Sequence, residues 1–313
     1  MFIVLPLAER RCNLAILSGS TLVPKPLRPR SHVRVIAPSG PFDRALVLRG
    51  MAWLSERYRV TFGPDLFAKL GFLAGSDERR RGELIEALKD PTVEAIVTAR
   101  GGHGLLRIAH SVPWGALLTT PKWLVGFSDP TVLHAEAWRI GVASLHAPNV
   151  AGLGRADAVG REAWISALEQ PTKARVLQGL PGVDGRARGP LVGGNLTVLT
   201  MLAAAGRLWL PDGCILALED VTETSYRIDR MLTVLAVGGY LDRVAGLAFG
   251  QFTDCGAGIF GVSAKSVVEE RIGLRRPAVF ELPFGHGRDN VPLLLGADAV
   301  LDGSTGELTV AAT

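Results

Sequence analysis

Short apolar runs alternate with longer amphipathic stretches over residues 32–146, and this alternation limits the fold more than any other feature of the sequence. Runs of this length are typical of strands that are buried on both faces. The runs are VRVIA (33–37), RVTFG (59–63), VEAIVTA (93–99), WLVGF (123–127) and VASLH (142–146). Helices are predicted between them over 42–57, 77–89 and 131–140, the second of them capped by Ser76. We therefore predict an α/β fold with a parallel sheet covered by helices on both faces.

Glycine and proline concentrate between about residues 151 and 190, which marks the expected boundary between two domains. We predict an N-terminal α/β domain over 31–180 and a C-terminal α+β domain over 185–313. The elements predicted for the second domain are helices at 195–205 and 226–237, strands at 214–219 and 244–250, and a hairpin over 297–310. Residues 1–30 are predicted to be a poorly specified leader outside the fold, because prolines crowd its end.

Charge and cysteine content argue against several classes of protein. The chain has 34 basic and 30 acidic residues, and its arginines are scattered instead of forming one stripe, so no nucleic-acid partner is expected. Cys12, Cys214 and Cys255 are far apart and form no CxxC pair, which argues against a disulfide framework and a structural zinc site. No window reaches the roughly 18 apolar residues that cross a bilayer. We expect a cytoplasmic protein without a membrane partner.

Ser128 is the first candidate for chemistry, because it follows the strand at 123–127 and precedes a predicted helix. A strand–turn–helix context lifts a hydroxyl clear of the backbone, and the free N–H groups of the helix can stabilise an oxyanion. A structural interpretation competes with this one, because Ser and Asp are favoured helix caps and Pro130 suits the first helical turn. On this segment alone the capping interpretation is favoured. The segment also departs from GxSxG at Pro130.

Glu219, Asp220 and His286 are the next candidates. Glu219 and Asp220 end an apolar strand, where a carboxylate can orient a histidine, and only one of them is expected to face the site because neighbouring strand residues alternate. His286 lies between two glycines, which allow close approach of a substrate or partner group. A solvated acidic loop, which we favour for Glu223, and an ordinary surface histidine remain the structural alternatives.

The loop TARGGHGLLRI (98–108) ends another strand with paired glycines, whose N–H groups could bind an anion or an oxyanion. It does not match GxGxxG, and the chain contains no GxxxxGK[ST]. Dinucleotide and P-loop interpretations are therefore weak.

Together these segments resemble the LD-carboxypeptidase family of serine peptidases, which includes muramoyl-tetrapeptide carboxypeptidases and microcin-immunity peptidases. The similarity covers about residues 33–302, in the order of the family. The matching stretches are VRVIAPSGP (33–41), TARGGHG (98–104), LVGFSDPT (124–131), GPLVGGNLTVL (189–199), LALEDVTETSYRIDRML (216–232) and PFGHGRDNVPLLLG (283–296). The resemblance implies a flavodoxin-like N-terminal domain, a smaller C-terminal α+β swivelling domain, a homodimer, and no metal or organic cofactor.

The resemblance also implies roles for single residues. Ser128 matches the nucleophile, Glu219 the acid of the triad and His286 the general base. In that mechanism the backbone N–H groups of Asp129 and of Gly101 or Gly102 would hold the oxyanion. Further candidates for substrate binding are Arg100, Gly101, His103 and Asn195. Arg100 offers a guanidinium for a terminal carboxylate, and a structural ion pair is an equally favoured role for it. His103 stands where the family usually has Tyr, and Ala147 replaces a common Gly.

The resemblance implies a small peptide substrate, the murein tetrapeptide, which would lose its terminal D-Ala from an L,D bond in peptidoglycan recycling. The alternative within the class is an immunity-type peptidase that cleaves a peptidyl-nucleotide. Outside the class, the alternatives are a two-domain small-ligand-binding protein and a nucleotide-dependent α/β enzyme.

Overall fold

The computed structural model describes residues 21–272 and 276–311, which form two β-sheets with helices packed on them. The strands of the first sheet are β1 (His32–Ile36), β2 (Arg59–Phe62), β3 (Ala95–Thr98), β4 (Trp123–Gly126), β5 (Ser144–His146) and β12 (Leu293–Leu295). Their order is β12-β5-β4-β3-β1-β2, with β12 antiparallel and the others parallel. The parallel part has the strand order of a flavodoxin-like sheet, so the predicted α/β class is confirmed.

Several helices of the first domain begin at a side chain that accepts a backbone N–H. Asp43 accepts from the Leu46 N–H, Ser76 from the Arg79 N–H and Asp157 from the Gly160 N–H. The helices are α1 (Arg44–Ser55), α2 (Asp77–Lys89), α3 (Leu105–Ala109), α4 (Ala116–Thr119), α5 (Thr131–Arg139), α6 (Val150–Leu153) and α7 (Ala158–Glu169). The helix predicted over 77–89 and its Ser76 cap are confirmed. No helix of the described residues is long and apolar enough to cross a membrane.

The second sheet has the order β6-β14-β13-β8-β9-β10-β11-β7. Its strands are β6 (Arg175–Gln178), β7 (Leu180–Val183), β8 (Arg186–Asn195), β9 (Cys214–Val221), β10 (Val244–Thr253), β11 (Ala278–Phe280), β13 (Asp298–Asp302) and β14 (Glu307–Ala311). The strands β8 to β11 are parallel, and the outer strands are antiparallel. The helices α8 (Leu196–Ala204), α9 (Ser225–Val237) and α10 (Ala264–Ile272) accompany this sheet, with 3-10 turns at Leu241–Arg243 and Gly258–Phe260. The predicted two-domain α/β architecture and the C-terminal hairpin are confirmed.

Two strands lie on the other side of the predicted domain division. β6 falls within 31–180 and pairs with β14 of the second sheet, whereas β12 falls within 185–313 and pairs with β5 of the first. The glycine-rich stretch at 151–190 also contains α7, β6 and β7 in place of a simple linker. Composition cannot reveal such exchanges, because a short edge strand is defined by the partner that accepts its hydrogen bonds.

Part of the predicted leader belongs to the fold. Leu27 is buried, its N–H donates to the Leu168 carbonyl (2.9 Å), and the Trp123 indole donates to the Lys25 carbonyl (2.8 Å). The prediction that 1–30 lies outside the fold is therefore wrong for residues 21–30, where an extended proline-containing segment packs on the first domain. The rest of the predicted leader, with Cys12, lies outside the described residues.

Candidate active site

Ser128 lies at the sharp turn that joins β4 to α5. Its φ is +72°, in the left-handed region that costs a residue with a side chain on the order of 1–3 kcal/mol. The turn closes with a hydrogen bond from the Thr131 N–H to the Ser128 carbonyl (2.8 Å). The N-cap of α5 is Pro130, without a side-chain capping bond, so the capping interpretation of Ser128 is wrong. The strained strand–turn–helix geometry is that of a nucleophile elbow.

The paired glycines of the 98–108 loop lie against this hydroxyl. A Cβ at Gly101 would stand 2.9 Å from the Cβ of Ser128 and 3.2 Å from its Oγ. The Gly40 N–H donates to the Gly101 carbonyl (3.1 Å) and fixes the loop, and Gly102 has a φ of +108°. Within the residues that the structure describes, the N–H groups of Gly102 and Asp129 donate to no protein acceptor. Both are therefore available to an oxyanion.

The Asp129 side chain is part of the support of the elbow. Its Oδ2 accepts from the Leu105 N–H at the start of α3 (3.0 Å), and burial raises the pKa of this carboxyl. The buried Arg80 guanidinium donates to the Pro38 and Gly104 carbonyls close by. These contacts tie the elbow to the loops on either side, a role that the sequence did not indicate.

His286 is bonded to a buried carboxylate. Its Nδ1 lies 2.7 Å from Glu219 Oε2, Glu219 is fully buried, and the His286 side chain is 19% exposed. Because a carboxylate accepts at this contact, the proton of a neutral imidazole lies on Nδ1, and Nε2 is left as an acceptor. Gly285 has a φ of +111°, and a Cβ there would stand 2.8 Å from Glu219 Oε2. The glycine before His286 is thus required for the approach of the carboxylate.

The two halves of the site meet at Phe127. The ring of this residue, which directly precedes Ser128, packs on the His286 ring with 4.8 Å between their centroids. Within the described ranges, Ser128 Oγ and His286 form no direct hydrogen bond. Hydrogen bonds of this type are often long without substrate and shorten when the substrate is bound. The structure thus brings Ser128, His286 and Glu219 to one place, from two different sheets.

Glu219 and Asp220 point to opposite faces of β9, as predicted. Asp220 accepts from the Asn195 side-chain amide (2.9 Å) and the Thr197 N–H (2.9 Å), which fixes the start of α8. Asn195 caps the same helix through the Val198 N–H (3.1 Å) and is buried, so its amide is engaged in the fold. The backbone N–H of Asn195 donates to Thr131 Oγ1 (3.0 Å), which connects Asn195 to α5, the helix that follows Ser128.

The other candidates for substrate binding lie at the rim of the site. Arg100 and His103 are exposed on the glycine loop. Arg100 Nη1 donates to the Pro41 carbonyl (2.5 Å), and the His103 ring is 5.9 Å from that of Phe72. Glu223 pairs with Arg227 (3.3 Å), and its side chain is 17% exposed, so it is less solvated than the interpretation favoured for it implies.

A cavity of about 690 Å³ opens beside His286, between the two domains. One wall is Phe127 with the loop 285–291, and the other is the segment from Pro148 to Ala163, which contains α6 and the start of α7. Arg155 and Arg288 stand on opposite walls. Sequence reasoning missed both arginines. Arg288 lies within the matching stretch 283–296 and could have been found there, whereas no motif marks Arg155.

Two buried histidines contact the residues that directly precede Ser128. His134 bonds to Ser144 Oγ (2.9 Å) and the Gly126 carbonyl (3.0 Å), and burial lowers its pKa to about 4. The His146 ring lies 5.9 Å from those of Phe127 and Phe284, and burial lowers its pKa to about 3. Across the described residues, no group of three or more His, Cys, Asp or Glu side chains is arranged to hold a metal ion.

A serine on a strained elbow, free N–H groups beside it, and a histidine bonded to a buried carboxylate define the class of the serine hydrolases. Comparison with known proteins gives the family. The models of the LD-carboxypeptidase N-terminal and C-terminal domains match residues 33–147 and 188–301. The chain belongs to the LD-carboxypeptidase family. The predicted family and the predicted class of serine-type carboxypeptidase are confirmed.

Relatives match over most of their length. A Synechocystis sp. protein whose carboxypeptidase name is provisional is 39% identical over 95% of this chain and 99% of its own. The murein tetrapeptide carboxypeptidase of Pseudomonas aeruginosa is 33% identical over 77% of this chain and 83% of its own. Among solved structures, the muramoyltetrapeptide carboxypeptidase of Oxalobacter formigenes has a TM-score of 0.81 at 28% identity, covering 90% of this chain and all of that one.

Proposed function

We propose that this protein is a cytoplasmic, homodimeric serine carboxypeptidase that releases the terminal D-Ala of murein tetrapeptide from its L,D bond, in peptidoglycan recycling. The observation that carries the proposal is the hydrogen bond between His286 and Glu219 beside the strained Ser128 elbow. The names of the Pseudomonas aeruginosa and Oxalobacter formigenes relatives support the substrate.

In the proposed reaction His286 Nε2 takes the Ser128 proton as Oγ attacks the scissile carbonyl. The oxyanion that forms is held by the N–H groups of Asp129 and Gly102. His286 then protonates the leaving amine, so D-Ala departs and an acyl-enzyme remains. Water, deprotonated by His286, releases the acyl group. Glu219 holds the imidazole in the required tautomer and stabilises its cationic form.

The reacting groups are held in their orientations before the substrate binds. The φ of +72° places Ser128 on a strained turn, and the absence of a side chain at Gly101 leaves space beside the Ser128 Oγ, where a Cβ would stand at 3.2 Å. Groups that are already oriented toward the transition state need no reorganisation during the reaction. The burial of Glu219 keeps water away from its bond to His286 and strengthens that bond.

The test is to incubate the purified protein with murein tetrapeptide and to follow free D-Ala by mass spectrometry. Ser128→Ala is expected to lower kcat by roughly three orders of magnitude or more. Ser304→Ala, at an exposed turn residue of the C-terminal hairpin, is the matched control and is expected to keep full activity. Release of D-Ala by folded Ser128→Ala at the wild-type rate would show that the nucleophile is another group.

The immunity-type alternative receives no separate support. The similarity to MccF bound to glutamyl sulfamoyl guanosine has a TM-score of 0.84 at 19% identity, which indicates a shared fold only. The same assay with a peptidyl-nucleotide in place of tetrapeptide would compare the two substrates directly. A small-ligand receptor would bind without turnover, and nothing in its function calls for a histidine bonded to a buried carboxylate beside a strained serine.

A further inference from the structure

Two positively charged side chains line the cavity beside His286 and take part neither in the contacts of the fold nor in the triad of Ser128, His286 and Glu219. Arg155 and Arg288 line its two walls, and both are exposed. Within residues 21–272 and 276–311, neither guanidinium makes a hydrogen bond or an ion pair with another side chain or with the backbone. The N–H donors of both guanidinium groups are therefore free to bind a ligand.

The wall that carries Arg155 is rigid. A Cβ at Gly154 would stand only 2.1 Å from the Leu46 carbonyl oxygen, so the chain packs directly on α1 at this point. The Arg161 guanidinium donates to the Leu153 carbonyl (3.0 and 3.2 Å), and the Arg155 N–H donates to the Gly152 carbonyl (2.9 Å). The backbone of Arg155 is therefore fixed before any ligand arrives, and only its side chain has to be ordered.

The wall that carries Arg288 is a closed loop. The Val291 N–H donates to the Pro283 carbonyl (2.8 Å), and the Asn290 side chain accepts from the Gly285 N–H (3.1 Å). These two bonds join the ends of the loop, and Arg288 lies between them, two residues after His286. The backbone of Arg288 is thus held close to that of His286, and only the Arg288 side chain has to be ordered by a ligand.

The reaction proposed for the triad of Ser128, His286 and Glu219 determines which part of a substrate enters this cavity. The histidine must give its proton to the leaving amine, so the leaving residue lies on the imidazole side of Ser128. In a carboxypeptidase that residue carries the free carboxylate. Guanidinium groups bind carboxylates in a two-pronged, charge-assisted geometry.

We propose that Arg155 and Arg288 form the binding site for the free carboxylate of the leaving residue. The inference rests on the proposed function and names the residues that make it a carboxypeptidase. Arg100, the candidate from the sequence, lies instead on the glycine loop at the oxyanion side and already donates to Pro41. It is therefore in the wrong place to meet the leaving residue.

The cavity also contains two acidic side chains, which weaken the attraction of the arginines for a carboxylate only in part. Asp157 Oδ1 accepts from the Gly160 N–H (2.8 Å) as the cap of α7. Asp289 is exposed next to Arg288 and makes no ion pair within the described part of the chain. Its negative charge reduces the positive potential of the site, so removing it should strengthen carboxylate binding.

The experiment compares two peptides, the tetrapeptide with a free C-terminal carboxylate and the same peptide as its C-terminal amide. Equilibrium binding is measured in the Ser128→Ala background, and kcat/KM is measured with Ser128 present. The double variant Arg155→Gln/Arg288→Gln is expected to lose roughly 10- to 100-fold in both quantities for the acid, and little for the amide. Asp289→Asn is expected to bind the acid more tightly. Arg59→Gln, on the distant edge strand β2, is the matched control.

Each outcome separates the inference from the proposed function. If the double variant keeps the wild-type preference for acid over amide, the inference is overturned even when the enzyme is active. It is equally overturned if Arg100→Gln removes this preference and the double variant does not, or if Asp289→Asn weakens acid binding. If the acid binds through the two arginines but no D-Ala is released, the carboxylate site stands and the proposed peptidase function fails.

Discussion

The two sides of the candidate active site are held in place by different means. Ser128 is fixed by its backbone, at a φ of +72° after a buried strand, with Gly101 packed against it. His286 lies in a loop, where its ring packs on Phe127 and its one side-chain hydrogen bond among the described residues is the 2.7 Å contact with Glu219. The hydroxyl therefore depends on the core of the first domain, whereas the hydrogen bonding of the imidazole depends on a carboxylate of the second.

This difference shows where the site is most sensitive to substitution. A hydroxyl position that is built into a strained turn persists as long as the first sheet is folded. An imidazole that is held by one hydrogen bond changes its orientation or tautomer when that bond is altered, without unfolding of the protein. The substitutions below act on one side at a time.

The largest effect is expected from Glu219→Gln, on the histidine side. The amide can donate to Nδ1 and so favours the tautomer in which Nε2 carries the proton and cannot act as a base. We expect kcat to fall by roughly three to four orders of magnitude with only a small change in KM, as measured by D-Ala release.

Asp220→Asn is the control for this substitution, because Asp220 is the adjacent carboxylate on the opposite face of the same strand. It loses charge-assisted bonds to Asn195 and Thr197, so the free energy of unfolding should fall by about 1–3 kcal/mol. The folded fraction should keep most of its kcat. Equal losses of kcat in the two variants would contradict a specific role of Glu219.

Gly285→Ala should have the next largest effect. The new Cβ would stand 2.8 Å from Glu219 Oε2 at a φ of +111°, so the carboxylate has to move away from His286. We expect a loss of about 100-fold in kcat, since misplacement of a catalytic group by about 1 Å can have such a cost.

Gly206→Ala separates backbone strain from this displacement. Gly206 also has a positive φ, +66°, but a Cβ there would have no atom within 4 Å. Thermal unfolding should detect a stability loss of about 1 kcal/mol, while the activity stays unchanged. A drop in activity as large as that of Gly285→Ala would mean that strain alone explains both.

Acid should destabilise the serine side through its buried histidines. Burial lowers the pKa of His134 from 6.5 to about 4 and that of His146 from 6.5 to about 3. Below pH 6.5 these two histidines take up protons in the unfolded chain but not in the folded one. The free energy of unfolding therefore decreases as the pH falls from 6.5 toward their folded pKa values of about 4 and about 3.

His146→Phe removes one of these groups, in surroundings that already contain two phenylalanine rings. Urea unfolding between about pH 4 and pH 7 should then show a loss of stability that is shallower by up to about 1.4 kcal/mol per pH unit. An acid dependence that is as steep as in the wild type would assign the effect to other groups.

The smallest effect is expected from relief of the elbow strain. Ser128→Gly should be more stable than Ser128→Ala by up to about 1 kcal/mol, because glycine adopts a positive φ at no steric cost. At Ser304, whose backbone is not strained, the glycine variant should be the less stable of the pair or equal to it. The same order of stabilities at both positions would argue against strain at Ser128.

The sequence predicted those parts of the molecule whose signal is local. The helix after Ser76 has its own cap, the apolar runs predict buried strands whatever their neighbours, and the stretches around Ser128, Glu219 and His286 match the family. The orientation of Glu219 and Asp220 follows from the alternation of side chains along a strand.

The parts that the sequence could not predict depend on pairing across the chain. The exchange of β6 and β12 between the sheets is decided by which edge has open hydrogen-bonding groups. Arg155 acquires its place in the cavity only because α7 packs opposite the loop of His286. The left-handed φ of Ser128 likewise could not be predicted from this segment, because its residues by themselves favour a helix cap.

The central claim is that His286, from the second domain, activates Ser128 of the first. The most direct test is the rate at which a fluorophosphonate probe labels Ser128, followed by mass spectrometry of the intact protein. We expect one label per chain at Ser128 in the wild type, with a labelling rate that falls by several orders of magnitude in His286→Ala. Labelling of folded His286→Ala at the wild-type rate, or of a different residue, would contradict the account.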